Sequence, residues 1–428
     1  MNELLAKQIF KLGATIRNPG LLQETVGLEK TDFCTQAEFE TIQNKKLSAL
    51  FTFLKVYNPF YAGLIPANFE NNPKLALQEL PVIDKTFLLG NMDKLTNYLK
   101  LKNLITAETS GSTGQPFKFK KNRAWDTANR ASFIRGYHWY GIEPWQRNGY
   151  FWGYNLNPKQ KLKTILLDNL QNRFRVFSYE KEDLKHFLKK LKSARYLHGY
   201  SSMIFEVAKI AVELGFSPKD FPKLSMIKGT SEKIFDYYHE PVLKAFGHKI
   251  ISEYGSAEAG LIAYECPNGK MHINEENVIL EVIDGQAVAT NLNALSLPII
   301  RYKVGDAITI NQNAICACGR KSAVIEEITG RVGKKIIGYK STYPSLTLYY
   351  IFKNISLQKG ADIQYQAVQM QQGAMDLRIP RTLSLNERNW IQVECIKYFA
   401  DDVTVEILEN TSIHDKKGKL KDFISDID

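Results

Sequence analysis

A chain of 428 residues, 44% hydrophobic and 24% charged, can bury a sizeable interior, which excludes a disordered or fibrous chain and predicts one large domain with at least one smaller one. The formal charge of +11 leaves three classes of anionic partner open: nucleic acid, a membrane face and phosphate-bearing small molecules. Met1–Gly20 is interrupted by Lys7, Lys11 and Arg17 and has no long apolar run, so neither a secretory leader nor an integral membrane segment is expected, and the expected compartment is the cytoplasm.

Thr35 and Glu38 stand at capping-box spacing before Phe39, Ile42, Leu50 and Leu54, which predicts a helix over Thr35–Lys55 within an N-terminal helical segment of about residues 1–60. Phe117 and Phe119 alternate with Lys118 and Lys120 after a Gly-rich turn, the pattern of a strand leaving a loop. Leu184, Phe187, Leu188 and Leu191 fall at i, i+3, i+4 and i+7 among Lys181, Lys185, Lys189, Lys190 and Lys192. That spacing marks an amphipathic helix with a solvated basic face, and with no base-reading module beside it nucleic acid is not an expected partner. A helix follows over Ser202–Leu214, then a hairpin in which Val278–Ile283 and Ala287–Asn291 flank Asp284-Gly285. Past Gly330 the elements shorten: an alternation at Tyr365–Ala367, a helix opened by Ser384 and Glu387, and a strand with Val403, Val405 and Ile407. The expected organisation is a large α/β domain over 1–330 and a small α+β domain over 331–428.

Ser110, Gly111, Ser112, Thr113 and Gly114 place hydroxyls and unobstructed backbone amides where they can converge on phosphate oxygens, although the lysine of a Walker loop is missing. The same residues also suit a solvent-exposed turn between strands. Further along come Gly229-Thr230-Ser231-Glu232, Glu253-Tyr254-Gly255-Ser256-Ala257-Glu258, Arg301 to Asp306, and Gly330-Arg331, each joining glycine to a polar group. Glu258 offers the carboxylate oxygen that Mg²⁺ prefers and shares with phosphates, and Asp306 can accept from ribose hydroxyls. Taken singly, Asp306 equally caps a turn and Arg331 equally joins a surface ion pair.

With "ETSGSTGQP", "LHGYSS", "GTSEKI", "ISEYGSAEAGLIAYECPNGKMHINEEN", "LPIIRYKVGDA", "CACGR" and "KKGKLKDFIS" in this order, the chain resembles the adenylate-forming superfamily. Within it the resemblance runs to the phenylacetate-CoA ligase branch, most closely the capsular-polysaccharide-biosynthesis proteins of CapK type, from the helix around Glu38 to Phe423. The resemblance implies an ATP phosphate loop at Ser110–Gly114, adenine packing beside Glu253, Tyr254 and Gly255, Mg²⁺ or phosphate duty for Glu258, a ribose grip by Asp306, and support from Arg331, with Ser231, Glu232 and Ser256 as further cofactor-binding candidates. It further implies that Lys419, in a small mobile domain, approaches the α-phosphate; a compact cation on a long stem suits growing oxygen charge. Apart from the resemblance, Lys416, Lys417 and Lys421 around it suit a frayed basic tail. The family's acidic or lysine hinge residue is replaced by Gly333, with Lys334 beside it, which loosens the pivot.

Cys266, His272, Cys316 and Cys318 form a Cys-x5-His pair followed by Cys-x-Cys, a donor set for a closed structural zinc site, as in related phenylacetate-CoA ligase-like proteins; reduced thiols and a surface histidine are the alternative. Cys34 and Cys395 are expected to act as small hydrophobes. Of the aromatics from Tyr137 to Tyr154, most are expected in the core, with Trp152 and Tyr154 as candidates for an acyl pocket. The implied reaction activates a small carboxylic acid to an acyl-AMP and passes the acyl group to an acceptor, coenzyme A or a sugar-linked amine or hydroxyl, in surface-polysaccharide biosynthesis. The alternatives are an adenylyltransferase with no thioester step, and a non-catalytic protein binding nucleotide or anionic polymer.

Overall fold

The computed structural model describes every residue except 109–116, 152–157, 177–180, 231–233, 235, 332–334, 362, 364, 412–422, 426 and 428. Two compact units make up the chain: Met1–Ala107, Phe119–Trp152 and Pro158–Thr329 form the first, and Gly330–Asp428 with Glu108–Lys118 and Gly153–Asn157 the second.

The first unit opens with the helices Glu3–Arg17, Leu21–Lys30 and Gln36–Tyr57. The third begins where the Thr35 hydroxyl accepts from the Glu38 backbone and the Glu38 carboxylate accepts from Thr35 N at 2.7 Å, the reciprocal cap its sequence predicts. It buries Phe39, Leu47, Leu50 and Leu54 along one stripe. A five-stranded parallel sheet follows, in the order Arg173–Arg175, Asn148–Phe151, Tyr196–Tyr200, Met226–Thr230, Ile250–Ile251. Tyr196–Tyr200 is buried at every position, as a central strand covered on both faces must be. The helices Lys181–Leu191 and Ser201–Glu213 pack on this sheet, and the first of them buries Leu184, Phe187, Leu188 and Leu191 as its spacing requires.

A seven-stranded sheet completes the unit, in the order Val278–Ile283, Gln286–Asn291, Tyr302–Asn311, Val324–Arg331, Met271–Ile273, Gly260–Glu265, Glu253–Ser256. Its first two strands form the predicted hairpin, turned by Asp284 and Gly285 at φ 51° and 72°, the left-handed pair of a type I′ turn. Between the two sheets lies the helix Arg123–His138, whose Phe133 and Tyr137 pack with Tyr196, Met226, Leu261 and Tyr264.

In the second unit a four-stranded sheet runs Thr404–Leu408, Ala374–Arg378, Gln366–Gln371, Phe423–Ser425, antiparallel at its centre and parallel at both flanks. The helices Leu346–Lys359 and Leu385–Phe399 supply Ile351, Ile355, Ile391 and Phe399 to a core shared with Leu377 and Ala367. Ser384 and Glu387 form the predicted capping box. The fold is thus mixed α/β, with a separate C-terminal sheet-and-helix lobe. No helix among the described residues is long and apolar enough to cross a membrane.

Candidate functional site

Parallel sheets bind ligands beyond the carboxyl ends of their strands, and here those ends carry the glycine-bearing segments. A Cβ on Gly229 would collide with the Ser201 hydroxyl, and one on Gly199, at φ 150°, with the Phe151 backbone. Glycine is required at both because neighbouring strands and the first turn of the next helix approach too closely for a side chain.

Just past Ile250–Ile251 the chain enters the hairpin of Glu253–Ser256 and Gly260–Glu265. Glu253 takes a hydrogen bond from Thr230 Oγ1 at 2.5 Å and pairs with Lys228 Nζ. The pair is deeply placed, with side-chain exposures of 4% for Lys228 and 10% for Glu253. Its ammonium stands 5.2 Å from the Phe133 ring centroid and 5.4 Å from that of Tyr137, so aromatic faces replace the water this cation has lost. Tyr254 is buried and donates its hydroxyl to Asp306 Oδ2 at 2.9 Å. The strand end carrying the adenine candidates and the ribose candidate are therefore directly joined. Gly255 lies against the Gly260 carbonyl with no room for a Cβ, and Ser256 Oγ accepts from Ala259 N at 2.9 Å. Asn291 Nδ2 to Ala259 O at 2.8 Å and Leu261 N to Asn129 Oδ1 at 2.8 Å hold the turn from outside.

Glu258, at the tip of this turn, is buried. Its charge acts on Lys121, whose pKa is lowered by burial and partly restored by Asp126 and Glu258. Beneath the hairpin, on one face of the parallel sheet, Tyr150, His198 and Lys228 stand in register on adjacent strands. Burial, reinforced by Arg173, Lys228 and Arg175, pushes the His198 pKa well below the usual imidazole range, so this histidine is neutral.

The sulfur and nitrogen donors of Cys266, His272, Cys316 and Cys318 all lie within 4.8 Å of one another. Cys266 Sγ is 3.6 Å from Cys316 Sγ, and Cys318 Sγ is 3.3 Å from His272 Nε2. Tetrahedral zinc with Zn–S bonds of about 2.3 Å spaces its sulfurs by about 3.8 Å, so the donor set fits that ion. His272 Nδ1 is 3.1 Å from Ser322 Oγ, which orients the ring and leaves Nε2 facing the thiols. Burial pushes the Cys266 thiol up to about 12 and the His272 imidazolium down to about 4.

Behind these ligands lies a buried ionic network that sequence reasoning missed. Arg135 pairs with Glu276 at 2.5 Å and donates to Asn274, and Asp32 accepts from Trp139 Nε1 at 3.0 Å and from Arg320 Nη2 at 3.2 Å. The only signal for it was the polar residues inside otherwise apolar helical and strand patterns. Burial raises the Glu276 pKa, but the Arg135 guanidinium overrides it and holds the carboxyl below its usual range.

Ser110, Gly111, Ser112, Thr113, Gly114, Trp152, Tyr154, Ser231, Glu232 and Lys419 lie outside the described residues. Arg331 ends the strand Val324–Arg331. Of the predicted set, the structure brings together Glu253 through Glu258 with Asp306, and separately the four metal-ligand candidates.

No family model matches the chain. It is 26% identical over 310 residues to protein CapK of Staphylococcus aureus, a span of 68% of this chain and 67% of that protein. Among solved structures, 2-hydroxyisobutyryl-CoA ligase in a postadenylation state with an acyl-AMP bound superposes with a TM-score of 0.58 at 16% identity, covering 93% of this chain and 92% of that one. The same ligase in its thioesterification state, with 2-HIB-AMP and CoA, gives 0.59 at 17% identity with the same coverage. The chain is accordingly similar in sequence to CapK and has the fold of the adenylate-forming CoA ligases.

Proposed function

We propose that the protein is an ATP-dependent ligase that activates a carboxylic acid as an acyl-adenylate. The observation that carries this reading is the Tyr254–Asp306 hydrogen bond at the carboxyl edge of the parallel sheet, with the buried Glu258 on the same hairpin. In this reading Tyr254 would serve as aromatic wall, Asp306 as ribose acceptor and Glu258 as the carboxylate, a set able to orient a nucleotide. The fold shared with 2-hydroxyisobutyryl-CoA ligase and the kinship with CapK support the same reading.

In this scheme a carboxylate oxygen attacks the α-phosphorus in line, and the bond to the bridging oxygen breaks to release pyrophosphate; no covalent enzyme intermediate is required. Asp306 holds the ribose, Tyr254 and Gly255 flank the base, and Arg331 supports them. Glu258 would hold Mg²⁺, which supplies neutralisation of phosphate charge. We assign the phosphate grip to Ser110–Gly114 with Ser231 and Glu232, and compensation of α-phosphate charge to Lys419. The pivot for withdrawing Lys419 is assigned to residues 330–334, and the acyl pocket to the neighbourhood of Trp152 and Tyr154. Cys266, His272, Cys316 and Cys318 would hold one zinc ion with no open position, a structural role.

The acceptor is coenzyme A or an amine or hydroxyl of a sugar, and surface-polysaccharide assembly is the setting that the CapK kinship suggests. Carboxylate-dependent exchange of labelled pyrophosphate into ATP tests the scheme. Exchange is expected in the wild type and is expected to collapse in Lys419→Ala while ATP binding persists; undiminished exchange in that variant removes Lys419 from its role. AMP release measured with and without coenzyme A then separates thioester formation from an adenylyltransferase.

A further inference from the structure

The helix Pro158–Leu170 is inverted relative to an ordinary surface helix. It buries Asp168, whose Oδ1 accepts from Arg175 Nη2 at 2.7 Å, while Leu162, Ile165, Leu166, Leu167 and Leu170 stand in solvent, Leu162 at 62% and Leu166 at 58% exposure. The adjoining helix Glu3–Arg17 does the same: Ala6 and Ala14 turn inward, while Leu4, Leu5, Leu12 and Ile16 are exposed. Single exposed leucines need no explanation, but nine large aliphatic side chains exposed on two touching helices are a concentration of the kind that marks an interaction surface.

Among the described side chains of the two helices, Lys11, Arg17, Lys161 and Lys163 are exposed against one exposed acid, Glu3, so basic charge predominates around this face. At 3.6 residues per turn Leu162, Ile165 and Leu166 make a stripe with Lys161 on one flank and Lys163 on the other, and Lys11 and Arg17 are exposed on the neighbouring helix. The acidic residues of the two helices are engaged elsewhere, Glu3 accepting from Gln146 at 3.0 Å and Asp168 holding Arg175. A second copy of the chain across a two-fold axis would set this basic rim against itself. An anionic bilayer answers both features, because aliphatic side chains enter the acyl boundary while lysines reach up to headgroup phosphates.

We propose that the face formed by Glu3–Arg17 and Pro158–Leu170 seats the protein on an anionic lipid surface. The assignment is independent of the reaction catalysed. The test is flotation of the full-length protein with phosphatidylglycerol/phosphatidylcholine vesicles and with phosphatidylcholine alone. Wild type is expected to float with the anionic vesicles and to be released by salt. The variant Leu12→Glu/Leu166→Glu, altered only at exposed positions, is expected to keep the wild-type melting temperature and to lose about tenfold or more in partitioning. Lys11→Glu/Lys163→Glu should lose the preference for anionic lipid and serves as an independent variant should the first fail to fold. Absence of binding to anionic vesicles, or wild-type partitioning and lipid preference in both variants, overturns the assignment. So does light scattering that shows a wild-type dimer dissolved by Leu12→Glu/Leu166→Glu, since the face would then belong to a second copy.

Discussion

The Lys228–Glu253 pair offers the sharpest perturbation of the proposed nucleotide edge. Lys228→Met keeps the stem length and the contact with the Phe133 and Tyr137 rings but strips the charge, leaving Glu253 with the Thr230 hydroxyl as its remaining partner there. Two unit charges about 4 Å apart attract by about 4 kcal/mol at an effective dielectric constant of 20, and removing one partner of a buried pair costs about 3–5 kcal/mol because the survivor stays desolvated. The expected loss for Lys228→Met is therefore about 3 kcal/mol. Glu253→Gln should lose a similar amount by stranding the ammonium. The double variant removes both charges and retains an acceptor for Thr230, so its loss should be only about 1–2 kcal/mol, giving a coupling of about 4 kcal/mol or more. Equilibrium urea unfolding of the four proteins measures the cycle, and ATP binding followed in parallel should weaken in both single variants, since Glu253 begins the strand that carries Tyr254. A Lys228→Met protein within about 0.5 kcal/mol of wild type, or a double variant that loses the full sum of the singles, would refute the claim that this pair organises the edge.

Gly255→Ala places a methyl group against the Gly260 carbonyl, so the hairpin must open; pyrophosphate exchange should fall by about a hundredfold with a much smaller change in melting temperature, and retained exchange would show that the hairpin is not part of the site. Cys318→Ser should abolish the zinc, about one equivalent per chain, that elemental analysis of protein purified without chelator is expected to find, and should lower the melting temperature; metal-free wild type of full stability would end the zinc assignment. In the second unit, hydrogen bonding from Arg381 and from Ser384 N lowers the Glu387 pKa from 4.5 to about 2. A depressed carboxylate contributes stability that is complete above the unfolded value and is lost as pH falls towards the folded one, here from about 4.5 to about 2. Glu387→Gln should thus be less stable than wild type at neutral pH, and urea unfolding at several pH values should show the difference shrinking through that window; a constant difference would place the effect elsewhere.

Local signals were readable wherever the deciding interaction lies within a few residues. Thr35 with Glu38 and Ser384 with Glu387 cap their helices within three residues, and Asp284-Gly285 closes its hairpin within two. The leucine spacing in Lys181–Leu191 names its buried face correctly. At Pro158–Leu170, for which no element is predicted, spacing alone would bury the aliphatic side chains, whereas they face outward and Asp168 is buried against Arg175. At the site, a motif could suggest Tyr254 and Asp306 separately, but the bond between them spans fifty-two positions and depends on how the two strands are placed. Lys228 is harder still to read, since a lysine in the middle of a buried strand reveals a paired charge only once Glu253 is seen beside it.

The helix Arg123–His138 links the thiol cluster to the Lys228–Glu253 pair within one unit. Phe133 and Tyr137, one turn apart, face the Lys228 ammonium, whereas Arg135 and Trp139 face the metal-ligand side. Trp139 lies edge-on to His272 and beneath the Arg320 guanidinium at 4.1 Å, and Arg320 follows Cys318 by two residues. Tyr140 then closes the helix end by donating to the Glu265 carbonyl at 2.9 Å, one residue before Cys266. Gly136, between these faces, lies so close to the Tyr264 ring that no side chain fits. Because packed interiors transmit displacement rather than absorb it, a zinc ion held by these four residues would fix the depth and rotation of this helix, and through it where the Lys228–Glu253 pair meets the strand of Tyr254. A closed metal shell with no vacant position is suited to that task, which requires rigidity and no chemistry.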